Sequence, residues 1–143
     1  MKHDPRNIRR EALPAHVLVV EDDAILGIAL EEALRDAGVA RVELSPSTED
    51  ALRHLRDEQP DAIVLDVHLA DRDDGWAIAE LVRTLGPDSP RIIFSTGAPQ
   101  DIPADVAAMG CVLEKPYSPE TLVEVMREPR RRGLISRLRG ALR

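Results

Sequence analysis

Acidic side chains close two of the apolar runs in this sequence, and that is where chemistry can begin. Pro60-Asp61-Ala62-Ile63-Val64-Leu65 leads into Asp66, and His16-Val17-Leu18-Val19-Val20 leads into Glu21, Asp22 and Asp23. A continuous apolar run of this length reads as a strand buried on both faces. If the two runs are neighbours in one parallel sheet, their carboxyl ends bring the acids together. Like charges so placed raise one another's pKa unless a cation lies among them. Clustered carboxylate and carbonyl oxygens suit a hard ion such as Mg²⁺, which keeps several of its waters. A competing reading makes these acids solvated loop residues or helix N-caps, but it leaves unexplained why both clusters end apolar strands.

The elements that must position these groups alternate along the chain. After the first strand, Leu26, Leu30, Ala33, Leu34 and Ala37 recur at helical spacing, and Gly38 supplies a C-terminal stop. Val39 to Leu44 reads as a second strand. Ser47 caps a helix that carries Asp50 three residues on and buries Ala51, Leu52 and Leu55. The Asp66 strand follows, then a polar loop from Ala70 to Gly75, then a helical stripe of Ile78, Leu81, Val82 and Leu85 ended by Gly86-Pro87. Arg91 to Ser95 is a fourth strand that closes on Ser95-Thr96-Gly97. The proline-bearing segment from Ala98 to Met109 has room for about two helical turns around Ala104 to Ala108. Cys111-Val112-Leu113 is a short fifth strand ending at Glu114-Lys115-Pro116. Ser118-Pro119 starts a last helix that buries Leu122, Val123 and Val125 or Met126. This order implies right-handed crossovers and a parallel sheet with helices on both faces. In such sheets ligands collect at the carboxyl edge.

Composition limits the function. With 143 residues the chain is expected to be one domain that buries roughly 70% of its unfolded surface. Aromatic residues make up only 2%, so the core is aliphatic and a base-stacking nucleic-acid surface is not expected. The single cysteine, Cys111, excludes an internal disulfide and a cysteine-built metal site and fits a reducing cytoplasm. No signal peptide or membrane span is expected. The net charge is −7, yet from Arg127 onward seven Arg and one Glu give +6, which leaves −13 on residues 1–126.

Four strand ends thus supply Glu21, Asp22 and Asp23, then Asp66, then Ser95-Thr96, then Lys115 to one edge. With Val19-Val20-Glu21-Asp22, Leu65-Asp66, Ser95-Thr96-Gly97 and Lys115-Pro116 in this order, the chain resembles the receiver domain of bacterial two-component response regulators over about residues 15–128. The resemblance implies a flavodoxin-like fold with a five-stranded parallel sheet. It implies that Asp66 is a phosphoacceptor taking a phosphoryl group from a sensor histidine kinase or a histidine phosphotransfer protein, and that the only catalysis is of its own phosphorylation and dephosphorylation. It implies Mg²⁺ held by Asp22, Asp66 and the backbone carbonyl of His68, with Glu21 acting through water. Lys115 would pair with Asp66 and later with the phosphoryl group. Thr96 would turn toward that group and draw in Gly97, while His68 and Ala98 would flank the attacking water and set the lifetime.

Departures from the common pattern concern the output. From Thr96 to Lys115 the segment is short, so a shortened fourth helix is expected. Val112 stands where many receivers carry an aromatic side chain that swings inward. Phe94-Ser95-Thr96-Gly97 resembles the subset of single-domain receivers named for a Phe-Ala-Thr-Gly motif and linked to general stress signalling, although Ala98-Pro99 departs from it.

Residues 1–14 are read as an N-terminal extension and 129–143 as a basic tail. In the tail Leu134, Ile135, Leu138, Ala141 and Leu142 form an amphipathic stripe, giving an extra C-terminal helix. The expectation is a stand-alone regulator, monomer or weak dimer, that signals by protein contact or competition for phosphate, without direct DNA binding. The alternatives are a phosphorylation-independent binding module on the same fold and a Mg²⁺-dependent aspartyl-phosphate hydrolase. The short loops, which leave no cap over a small substrate, argue against the hydrolase.

Overall fold

A computed structural model describes residues 12–70, 76–86 and 88–129. Five strands form one parallel sheet: β1 (His16–Val20), β2 (Arg41–Ser45), β3 (Ala62–Asp66), β4 (Arg91–Thr96) and β5 (Cys111–Glu114). Their order across the sheet is β2-β1-β3-β4-β5. The helices are α1 (Ala24–Ala37), α2 (Thr48–Asp57), α3 (Ala77–Arg83), α4 (Ala104–Ala107) and α5 (Pro119–Arg127). The fold is thus the expected flavodoxin-like one, and α4 is a single turn preceded by a 3₁₀ turn at Pro99–Asp101.

Alternation along the strands divides the core into two layers. Val17, Val19, Val64 and Ile93 pack with Leu30 and Leu34 of α1 and Leu122, Val125 and Met126 of α5. Leu18, Val20, Ile63, Leu65 and Phe94 pack with Ala51 and Leu55 of α2, Ile78 and Val82 of α3 and Val106 of α4. Both faces of the sheet are therefore covered, which is why the strands read as unbroken apolar runs. Trp76 adds an edge-to-face contact with Phe94, with ring centroids 6.2 Å apart.

Local chemistry sets the ends of the helices. The Asp23 carboxylate accepts hydrogen bonds from the N–H groups of Ile25 and Leu26 and so caps α1. At the other end Gly38 has φ +114°, a left-handed conformation that terminates the helix. Ser47 and Ser118 cap α2 and α5 as their positions predicted. Gly110 allows a close approach of backbone, since a Cβ there would lie 2.3 Å from the Ile92 carbonyl oxygen.

Three local expectations need correction. The second strand runs from Arg41 to Ser45 rather than from Val39, because its pairing with β1 begins at His16 opposite Arg41. A helical turn, Val67–Ala70, rather than a loop follows Asp66 directly. The third helix ends at Arg83, so Leu85 lies beyond it. The loop 71–75, Pro87, the basic tail from 130 on and most of the N-terminal extension lie outside the described residues.

Candidate functional site

The strand order fixes where a site can form. The chain reverses direction across the sheet between β1 and β3, and a crevice opens at the carboxyl ends of strands at such a point. Val20 pairs with Leu65, so Glu21 and Asp66, each one residue further on, come to the same edge. Both are buried although both are acids: Glu21 is 7% exposed and Asp66 is 3% exposed. Asp22 beside them is exposed.

The carboxylate oxygens of Glu21, Asp22 and Asp66 lie within 4.8 Å of one another, the one such group of ligand-type side chains among the described residues. Lys115, brought from the end of β5, places its ammonium 3.2 Å from Glu21 Oε1 and 3.6 Å from Asp66 Oδ1. Backbone N–H groups supply further hydrogen bonds. Asp23 donates to Glu21 Oε2 at 3.2 Å, and His68 donates to Asp66 Oδ1 at 2.9 Å.

The electrostatics follow from this crowding. Burial, together with the neighbouring Asp66 carboxylate, pushes the Glu21 carboxyl up to about 7, against the pull of the Asp23 N–H and the Lys115 charge. Burial pulls the Lys115 ammonium down, but the charges of Asp66 and Glu21 outweigh it and the net shift is upward. Burial is the larger cause of this displacement; beside it, three carboxylates gather where Lys115 supplies one ammonium, an excess of negative charge. The all-oxygen donor set and that excess fit a hard divalent cation such as Mg²⁺.

A cleft of about 230 Å³ opens at the same edge. Asp66, His68, Thr96, Gly97, Ala98 and Lys115 line it, as does Asp101 of the 3₁₀ turn. Thr96 Oγ1 accepts a hydrogen bond from Ala98 N–H at 2.8 Å, and the Thr96 carbonyl accepts one from Lys115 N–H at 2.6 Å. The structure thus gathers the residues singled out in the sequence along one edge. Asp23 separates from its neighbours and serves as the helix cap. His68 meets Asp66 through its N–H, while its ring is exposed. Val112 is partly buried against the layer that holds Phe94.

Two residues went unnoticed in the sequence. Asp101 reaches the cleft only because the segment after β4 turns at Pro99. Tyr117, two residues beyond Lys115, hydrogen bonds through its hydroxyl to Ser95 Oγ at 2.8 Å. As the only tyrosine in the chain, close to a strand-end lysine, it was the one available signal.

Comparison with known proteins bears on this arrangement. Residues 17–127 match the family model of the response regulator receiver domain. The chain is 32% identical over 124 residues to the response regulator MprA of Mycolicibacterium vanbaalenii, covering 84% of this chain and 52% of that protein. It is 31% identical over 115 residues to the sensory transduction protein LytT of Bacillus cereus, covering 78% of this chain and 46% of that protein. The chain therefore spans about half the length of these curated relatives. Among solved structures it is similar to a putative response regulator of Chloroflexus aurantiacus, with 33% identity, a TM-score of 0.63 and coverage of 78% of this chain and 93% of that one. It is also similar to the chemotaxis response regulator CheY4 of Vibrio cholerae, with 26% identity, a TM-score of 0.66 and coverage of 79% and 96%. These matches do not single out the Phe-Ala-Thr-Gly subset. With its family model matched over residues 17–127 and a curated relative 32% identical over 84% of its length, the chain belongs to the response regulator receiver domain family.

Proposed function

We propose that Asp66 accepts a phosphoryl group from a phosphohistidine of a sensor kinase or phosphotransfer protein, in a Mg²⁺-dependent reaction in the cytoplasm. The observation that carries this reading is the buried Asp66 carboxylate with the Lys115 ammonium 3.6 Å from it at a solvent-reaching cleft. An Asp66 oxygen attacks phosphorus as the P–N bond of the donor breaks. The imidazole leaves with the electrons of that bond, and its nitrogen is protonated from solvent. Asp22, Asp66 and the His68 carbonyl would hold Mg²⁺, with Glu21 acting through water. When bound, the ion neutralises the oxygens of a loose transition state that needs positioning and charge more than covalent help.

The side chains have separate tasks. Lys115 pairs with Asp66 before transfer and with a phosphoryl oxygen afterwards. The Thr96 hydroxyl, which here accepts from Ala98 N–H, turns its proton toward the phosphoryl group and draws the Gly97 loop with it. His68 and Ala98 flank the path of the hydrolytic water, so together they set the lifetime. The output is contact with a protein partner or competition for phosphate. It proceeds without an aromatic rotamer switch, because position 112 is Val.

The test is labelling. With Mg²⁺ and a phosphorylated histidine donor, the native protein should take up an acid-stable, base-labile phosphoryl group and Asp66→Asn none. Equal uptake by the variant, or no uptake by the native protein from any donor including acetyl phosphate, would overturn the reading and favour a phosphorylation-independent binding module.

A further inference from the structure

Two contacts from the end of β4 grip the segment that carries Lys115. Lys115 N–H donates to the Thr96 carbonyl at 2.6 Å, and two residues later the Tyr117 hydroxyl bonds to Ser95 Oγ at 2.8 Å. Between them stands Pro116, whose ring fixes φ and leaves little slack. Ser95 is 1% exposed and pairs in register with Asp66 on β3, so the second grip is anchored beside the acceptor itself. The Lys115 side chain leaves from this doubly held backbone toward Glu21 and Asp66.

The hydroxyl of Tyr117 is more than packing requires. Its ring lies against the apolar layer of α1 and α5, and that packing involves the ring rather than the hydroxyl. A polar pair so placed must be mutually satisfied, since a buried hydroxyl without a partner is costly. What a satisfied pair adds over an apolar one is a defined position. We infer that Tyr117, through Ser95, is a positioning residue that holds Lys115 in place for phosphoryl transfer to Asp66. The inference rests on the reading of Asp66 as acceptor. It names a coupling between the end of β4 and the start of α5 that does not depend on an aromatic residue at position 112. Misplacement of a catalytic group by about 1 Å can cost on the order of a hundredfold in rate, so loss of one of two grips is expected to cost about five- to tenfold.

Tyr117→Phe, Ser95→Ala and the double variant test this, with acetyl phosphate as donor and Mg²⁺ binding followed by calorimetry. The double variant leaves no orphaned hydroxyl and guards against simple loss of folding. Each single variant should label about five- to tenfold more slowly, the double no more slowly than the slower single, and all three should bind Mg²⁺ as the native protein does. In a Lys115→Ala background, adding Tyr117→Phe should change nothing further. The Lys115 ammonium resonance, followed by nitrogen-15 NMR without any donor, should broaden or move in Tyr117→Phe and in the double variant. Labelling of Tyr117→Phe at the native rate, multiplicative losses in the double variant, or an equal loss in the Lys115→Ala background would overturn the inference. If the native protein does not label at all, the acceptor reading falls, and an unmoved ammonium resonance would then sink the positioning role separately.

Discussion

The ammonium of Lys115 bridges two buried acids from different strands, reaching Glu21 Oε1 at 3.2 Å although 94 residues separate the two in the chain. It is the cation that reduces the repulsion between Glu21 and Asp66, and this gives opposite expectations for its removal. Lys115→Ala should lower the rate of Asp66 phosphorylation by about a hundredfold, the scale for losing one preorganised group that stabilises developing charge. At pH 8 the same variant should bind Mg²⁺ at least as tightly as the native protein, because a competing positive charge has gone. Calorimetry beside a labelling time course checks both; parallel loss of metal and activity would contradict the assignment.

The pH dependence has a defined sign. Glu21 sits at about 7 in the folded chain against an ordinary value of 4.5, so the fold prefers its protonated form. The stabilisation from this group is fully present below 4.5 and is lost as pH rises through about 7. At most it amounts to roughly 3–4 kcal/mol, the full shift converted without solvent screening. The metal-free protein should therefore melt at a lower temperature at pH 8 than at pH 6. Mg²⁺ needs the ionised carboxylates, so its affinity should climb over the same interval. Thermal melts with and without Mg²⁺ should diverge as the pH is raised, because tighter binding stabilises the folded chain more; parallel curves would count against Glu21 as the titrating group.

Asp22 is exposed and takes little part in holding the fold, yet its oxygens stand with those of Glu21 and Asp66. Asp22→Asn should weaken Mg²⁺ binding by about tenfold or more, since it removes one charged ligand from a site with few. The melting temperature without metal should stay the same or rise slightly, because the excess negative charge is reduced. A calorimetric titration with unchanged affinity would remove Asp22 from the metal site.

Gly110 offers a test of the frame rather than the site. A methyl group there meets the Ile92 carbonyl at 2.3 Å, a contact that only backbone movement relieves. Gly110→Ala should cost about 2 kcal/mol or more in urea unfolding, with β5 displaced from β4. An unaltered unfolding midpoint would show that the turn before β5 yields freely.

Much of this arrangement was legible before any coordinates. Apolar runs that lead to Glu21, Asp66 and Thr96 read as strands buried on both faces, because a strand with one face in water alternates apolar with polar residues. Gly38, Ser47 and Ser118-Pro119 mark helix ends through their own backbone and side-chain chemistry. These signals are local and need no knowledge of the partner element.

Only the tertiary structure decided which of the acids act together. Asp22 and Asp23 are adjacent in sequence, yet Asp23 caps α1 while Asp22 remains with Glu21 and Asp66. The start of β2 at Arg41 follows from its register with His16, and the Ser95–Tyr117 bond depends on how β5 lies beside β4. Such relations join residues far apart in the chain, and their energies depend on ångström-scale separation and on burial. A sequence sets the order of its charged groups through local preference, but the distances between them exist only once the strands have paired and water has been excluded.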